Sequence, residues 1–133
     1  MFSNSSKYAI RTVLLLAKNQ GERYTVPELG AELDIPTPYL SKILQQLSRN
    51  RIISSTKGRG GGFYVDKENL NHKMIDVIVS IEGHNIFEEC ILGLPKCSSK
   101  NPCWLHEDFS EFKDRMEQKL FKLSVAKLKD IEF

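Results

Sequence analysis

Residues 57–62 read Lys57-Gly58-Arg59-Gly60-Gly61-Gly62 and hold four of the chain's eight glycines. Such a run cannot continue a helix or a central strand, because glycine loses the most backbone freedom on ordering and has no side chain to pack. Short runs of strand formers flank it: Ile52-Ile53-Ser54-Ser55-Thr56 before, Phe63-Tyr64-Val65 after. The pattern predicts a β-hairpin with a flexible tip in the middle of the chain. Lys57 and Arg59 place two cations on that tip. A phosphate-binding loop is the other common use of clustered glycines. Here Phe63 stands where a dinucleotide fingerprint needs its last glycine, no Lys-Ser/Thr pair follows, and no helix opens after the run.

The segments before the hairpin are helical. Residues 7–18 carry Tyr8, Ala9, Ile10, Val13, Leu14, Leu16 and Ala17 at helical spacing, and Gly21 follows. Thr25-Val26-Pro27-Glu28 spells a capping box with proline in the first turn. It opens a short helix with Val26, Leu29 and Leu33 inward, broken at Asp34-Ile35-Pro36. Thr37-Pro38 then predicts a second start, with Thr37 as N-cap and Pro38 as the first helical residue. Leu40, Ile43, Leu44 and Leu47 form the apolar side of this helix, and Tyr39, Ser41, Lys42, Gln45, Gln46 and Arg49 its polar side. Two short helices joined by a tight turn make a helix-turn-helix candidate. A hairpin directly after the second helix is the order of a winged helix. On such a scaffold Thr37, Pro38, Tyr39, Ser41, Lys42 and Gln45 face the major groove of duplex DNA, and Lys57 and Arg59 enter or flank the minor groove. Elsewhere the same residues would be a solvated helix face and a solvated hairpin tip.

Beyond the hairpin, residues 74–81 form a short apolar helix ended by Gly83. Then comes a long segment rich in turn formers, and it contains all three cysteines. Cys90, Cys97, Cys103 and His106 are spaced C-x6-C-x5-C-x2-H among Gly93, Pro95, Ser98, Ser99, Asn101 and Pro102. Thiolate and imidazole suit an iron–sulfur cluster or zinc, and a three-Cys, one-His set also satisfies tetrahedral zinc. His72 and His84 have no comparable partners. Trp104 reads as a packing anchor between this loop and the next helix. That helix, residues 105–123, carries a narrow stripe of Leu105, Phe109, Phe112, Met116, Leu120 and Leu123, closer to a coiled-coil seam than to a broad core face. Dimerisation through the stripe is favoured over packing on its own domain. A last short segment covers residues 125–131.

Net charge divides along the chain. Residues 1–67 carry ten Lys/Arg and five Asp/Glu, a balance of +5, and residues 68–133 carry nine and twelve, a balance of −3. The basic half is the one with the helix-turn-helix and hairpin. No signal peptide and no membrane-spanning apolar run is apparent, so a cytoplasmic protein is expected. In that compartment, clustered cysteines favour metal or redox chemistry over a structural disulfide. No nucleophile motif and no C-x-x-C pair is present, so an enzyme is not expected.

Taken together, the chain resembles the IscR/NsrR/CymR family of bacterial winged-helix regulators along nearly its whole length. Lys7-Tyr8-Ala9-Ile10-Arg11 resembles the family's opening helix, and Tyr39-Leu40 with Leu44 and Leu47 its recognition helix. Residues 53–63 resemble its highly specific wing, and Ile78-Val79-Ser80-Ile81-Glu82-Gly83 the helix before its cluster loop. Cys90, Cys97, Cys103 and His106 resemble the cluster ligands of the IscR branch. There are departures. One residue more separates Cys90 from Cys97 than in IscR. Lys7 stands where the NsrR branch recruits an Asp from the partner's first helix, which favours His106 as ligand and 2Fe–2S over 4Fe–4S. Ser41-Lys42 stand where IscR has Glu-Gln, so the IscR operator does not carry over to this chain. The CymR branch lacks the cysteines.

The resemblance implies a mainly α fold with a small β-hairpin: a winged helix-turn-helix over residues 1–83, a cluster- or metal-binding loop over 84–104, and a dimerisation helix with a terminal segment over 105–133. It implies a homodimer on a double-stranded DNA operator, with no membrane partner and no small-molecule substrate. The ligand loop would sense iron–sulfur, redox or nitric oxide status. The alternative is a zinc- or iron–sulfur-binding redox or metal-handling protein without DNA function.

Overall fold

Ser3 opens the first helix. Its hydroxyl accepts a hydrogen bond from the Ser6 N–H, and helix α1 runs Asn4–Lys18, three residues ahead of the start that the apolar repeat predicts. The computed structural model describes residues 2–95 and 98–132. Helix α2, Val26–Leu33, begins with both halves of the capping box in place: the Glu28 N–H donates to Thr25 Oγ1 and the Thr25 N–H to Glu28 Oε2. Asp34, in the left-handed conformation at φ 53°, ends it.

Helix α3 spans Thr37–Arg49. Its start corrects the expectation for Thr37 and Pro38. Pro36 is the N-cap, Thr37 is already helical, and no side chain caps the end. The reason is that the Pro36 carbonyl accepts from the Leu40 N–H at 3.1 Å, so the first intrahelical bond forms one residue early. The turn between α2 and α3 is tight. A Cβ on Gly30 would lie 3.1 Å from the Ile35 carbonyl oxygen and from Thr37 Cγ2.

The hairpin has strands β1, Ser54–Thr56, and β2, Gly62–Tyr64, antiparallel with Ser54 opposite Tyr64 and Thr56 opposite Gly62. Both strands are shorter than the strand-forming runs, because Ile52, Ile53 and Val65 leave the ladder to enter the core. The wing is also pinned from outside. Tyr24 and Phe63 exchange both backbone hydrogen bonds, at 2.8 and 2.9 Å. Gly62 is needed there: its φ is +148° and an added Cβ would sit 2.6 Å from the Tyr24 carbonyl oxygen.

Helix α4, Met74–Glu82, ends at Gly83 with φ 85°. A single 3-10 turn, His84–Phe87, follows and buries Ile86. Helix α5, His106–Lys122, leads back to the core through the short α6, Val125–Leu128. The Met74 N–H donates to the Leu123 carbonyl at 2.8 Å and the Val125 N–H to the His72 carbonyl at 2.9 Å. Val125 therefore lies in one core with Ala9, Val13, Leu29, Leu40, Leu44 and Val77. The α5 stripe is divided by this return. Leu120 and Leu123 pack on the core, whereas Leu105 and Phe112 are 43% and 53% exposed. The architecture is mainly α with one hairpin, in winged-helix order. Among the described residues no helix is long and apolar enough to cross a membrane.

Candidate nucleic-acid interface and ligand loop

The amphipathic pattern of α3 decides what it presents. Leu40, Ile43, Leu44 and Leu47 are buried, which turns Thr37, Pro38, Tyr39, Lys42 and Gln45 outward, with Ser41 half-buried. Pro38, Tyr39 and Lys42 line a shallow recess. Lys57 and Arg59 are exposed at the wing tip, with Arg59 between Gly58 and Gly60, both at positive φ. A third cation joins them from outside the hairpin. Arg23 stacks over Tyr64, 5.5 Å from the ring centroid, and its Nη1 reaches the Gly60 carbonyl at 3.5 Å. No spacing rule points to Arg23; the pairing of its neighbour Tyr24 with Phe63 puts it there.

A polar network centred on buried Asn69 fixes the wing to the end of α3. Arg51, at φ 59°, turns the chain after α3. Its carbonyl accepts from Asn69 Nδ2 at 3.0 Å and from His72 Nε2 at 2.9 Å, which requires the proton on Nε2. Asn69 Oδ1 accepts from the Ser54 hydroxyl on β1 and from the Asp66 N–H, and the Asn69 N–H donates back to Asp66. Asn69 is 7% exposed. With every one of these groups satisfied, the network specifies one arrangement of helix and wing.

The ligand loop is held between the end of α4 and the start of α5. Cys90 is buried and Cys103 half-buried, and their sulfurs lie 3.9 Å apart as free thiols. Two thiolates on one tetrahedral ion, at metal–sulfur distances of about 2.3 Å, would stand about 3.8 Å apart. This pair fits a thiolate-ligated metal centre. The backbone N–H of Leu92 pulls the Cys90 thiol below its ordinary value, burial opposes it, and the Leu94 N–H, Cys103 and Lys113 add to the lowering. Cys97 lies outside the described residues. His106 is the first residue of α5, and its N–H donates to the Cys103 carbonyl at 3.1 Å. It lines a cleft of about 550 Å³ with Glu88, Glu89 and Lys113, while Cys90 lines a smaller recess with Ile86 and Phe109. Among the described residues no three His, Cys, Asp or Glu side chains converge into a metal-holding group. Cys90 and Cys103 are thus brought together, and His106 is adjacent in chain but not gathered with them. Trp104, expected to anchor the loop, stands ahead of the first turn of α5 and is 95% exposed.

The fold and exposed cationic face are those of a winged helix-turn-helix module. The family model Rrf2, described as an iron-dependent transcriptional regulator, matches residues 2–131, and the chain belongs to this family. A protein of Aquifex aeolicus strain VF5, described as an HTH-type transcriptional regulator, is 31% identical over 134 residues, covering 99% of this chain and 93% of its own. The HTH-type transcriptional regulator IscR of Pectobacterium atrosepticum is 21% identical over 127 residues, covering 95% of this chain and 77% of its own. Among solved structures, CymR, the global cysteine regulator of B. subtilis, superposes with TM-score 0.77 at 15% identity, covering 99% of this chain and 98% of that one. T. potens IscR superposes with TM-score 0.74 at 20% identity, covering 99% and 88%. These similar proteins are transcription regulators and not enzymes.

Proposed function

We propose that this chain is a cytoplasmic, homodimeric regulator that reads a duplex operator and carries an iron–sulfur centre, 2Fe–2S in preference to 4Fe–4S, on its Cys90–His106 loop. The observation that supports this most is the 3.9 Å approach of Cys90 and Cys103 on a chain that also presents an exposed recognition helix. In this reading Lys42 and Gln45 reach base edges, and Thr37, Pro38, Tyr39 and Ser41 border them. Lys57, Arg59 and Arg23 meet the backbone or the minor groove. Cys90, Cys97 and Cys103 as thiolates and His106 as neutral imidazole hold the centre. When bound, such a centre supplies one-electron redox chemistry. Its presence or loss would set the position of the loop against α4 and α5, and through them the DNA-reading geometry.

The second reading is zinc on the same four residues, favoured by the single-ion spacing of the Cys90 and Cys103 sulfurs. Anaerobic purification followed by a visible spectrum and assays of iron, sulfide and zinc separates the two. A coloured protein with iron and sulfide is expected, bleached by Cys97→Ser without loss of the winged helix. A colourless protein with one zinc per chain would overturn the iron–sulfur assignment.

A further inference from the structure

Among the described residues, Tyr39 is the one large apolar side chain ahead of Ile91 that stands exposed, at 62%. A lone exposed ring is ordinary on a protein surface. What distinguishes this one is its place. It is the third residue of α3, in the first turn, and with Pro38 and Lys42 it lines a shallow recess. Leu40, Ile43 and Leu44 take the buried side of the helix and turn Tyr39 away from the core.

The walls of this recess differ in chemistry. Pro38 gives a ring with no N–H. Tyr39 gives a ring with one hydroxyl at its far end. Lys42 gives an alkyl stem that ends in an ammonium. A phosphate would engage the ammonium and the hydroxyl and leave both rings unused. The floor of the major groove matches all three. One base edge there carries an apolar group, the C5-methyl of thymine, and lysine pairs with the O6 and N7 of guanine. The N-terminal residues of a recognition helix are the ones that meet base edges. Residues three apart on a helix, such as Tyr39 and Lys42, have Cβ atoms about 5–6 Å apart, between one and two base-pair steps of about 3.4 Å.

We propose that Pro38 and Tyr39 form a thymine-methyl pocket, which makes Tyr39 a specificity-determining residue. Each operator half-site then places this thymine about one or two base pairs from the guanine that Lys42 meets. This rests on the reading of α3 as the recognition helix. The Lys42 ammonium holds the guanine while its stem closes the open side of the pocket. Cytosine, adenine and guanine present no apolar group to the two rings, so each would leave the pocket unfilled.

The test uses the full chain, purified anaerobically, and a duplex enriched from random sequence. Each thymine of a half-site is replaced in turn by deoxyuridine, which removes the C5-methyl and keeps the base pair. At one position the parent should bind the thymine duplex about fourfold more tightly than the deoxyuridine duplex, the worth of one buried methyl. That ratio should fall to near one in Tyr39→Ala. It should persist in Tyr39→Phe, which keeps the ring and drops the hydroxyl. The salt slope of Tyr39→Ala should match the parent's, because no cation is lost. A parent that binds both duplexes alike at every thymine would overturn the methyl pocket while leaving the DNA-reading face standing. So would a Tyr39→Ala protein that keeps the ratio, or a Tyr39→Phe protein that loses it. Failure of the parent to enrich any duplex would overturn the reading of α3 and the pocket together.

Discussion

At the residue scale, Glu82 shows how one carboxylate ties two ends of the fold together. Its Oε1 accepts from the Ser3 N–H and the Ser6 hydroxyl, both at 2.7 Å, joining the start of α1 to the end of α4. Burial alone would raise its pKa, but the hydroxyl and N–H of Ser3 and the hydroxyl of Ser6 hold it below the ordinary value. A depressed folded-state pKa stabilises the protein above the unfolded value, near pH 4.3 for glutamate, and that contribution is lost as pH falls through the folded one. Glu82→Gln should therefore cost about 1 kcal/mol at neutral pH and flatten the acid limb of a stability profile measured by urea unfolding. An unchanged acid limb would remove Glu82 from that role. Gly62→Ala should cost about 2 kcal/mol or more, since strain at φ +148° adds to the collision with Tyr24, and its denaturant midpoint should fall without a change in slope. Neither effect is legible in sequence: Ser3, Ser6 and Glu82 are separated by most of a domain, and nothing local marks Tyr24 as the neighbour of Gly62.

At the scale of elements, legibility followed locality. The Thr25–Glu28 capping box and the apolar face of α3 involve residues three or four apart and formed as their spacing predicts. The Thr37 N-cap does not form, because the Pro36 carbonyl already accepts the first intrahelical bond, from the Leu40 N–H. The α5 stripe looked uniform, yet its C-terminal end is claimed by the core through Leu123 and Val125, a long-range pairing that periodicity does not carry. Of the site, the exposed face of α3 and the wing tip were readable, while Arg23, the Asn69 clamp and buried Lys113 were not. The division between helix and wing gives a prediction. Lys42→Ala and Gln45→Ala should each cost about 1–3 kcal/mol of affinity and relax preference at particular base pairs. Lys57→Ala, Arg59→Ala and Arg23→Ala should weaken all sequences alike and make the salt slope shallower by about one unit each. Anisotropy titrations over a salt series distinguish the two patterns.

For the whole molecule, the proposed homodimer would form on the face left open on α5. Trp104, Leu105 and Phe112 are exposed, and burying each large side chain is worth about 1.5–3 kcal/mol. Sedimentation should show a dimer at micromolar concentration, and Phe112→Asp should dissociate it; a Phe112→Asp protein that stays dimeric would move the interface elsewhere. A two-fold dimer of this fold reads half-sites about 34 Å apart. The central claim, that α3 and the wing read duplex DNA, is tested most directly by anisotropy titration of the anaerobic protein on a duplex enriched from random sequence, with its scrambled counterpart as reference. The selected duplex should bind about 10³-fold or more tightly than the scrambled one, with log K falling linearly in log salt. The Lys42→Ala/Gln45→Ala protein should keep that slope and lose most of the discrimination. Discrimination equal to the parent's in that double variant, or failure to enrich any sequence, would contradict the claim.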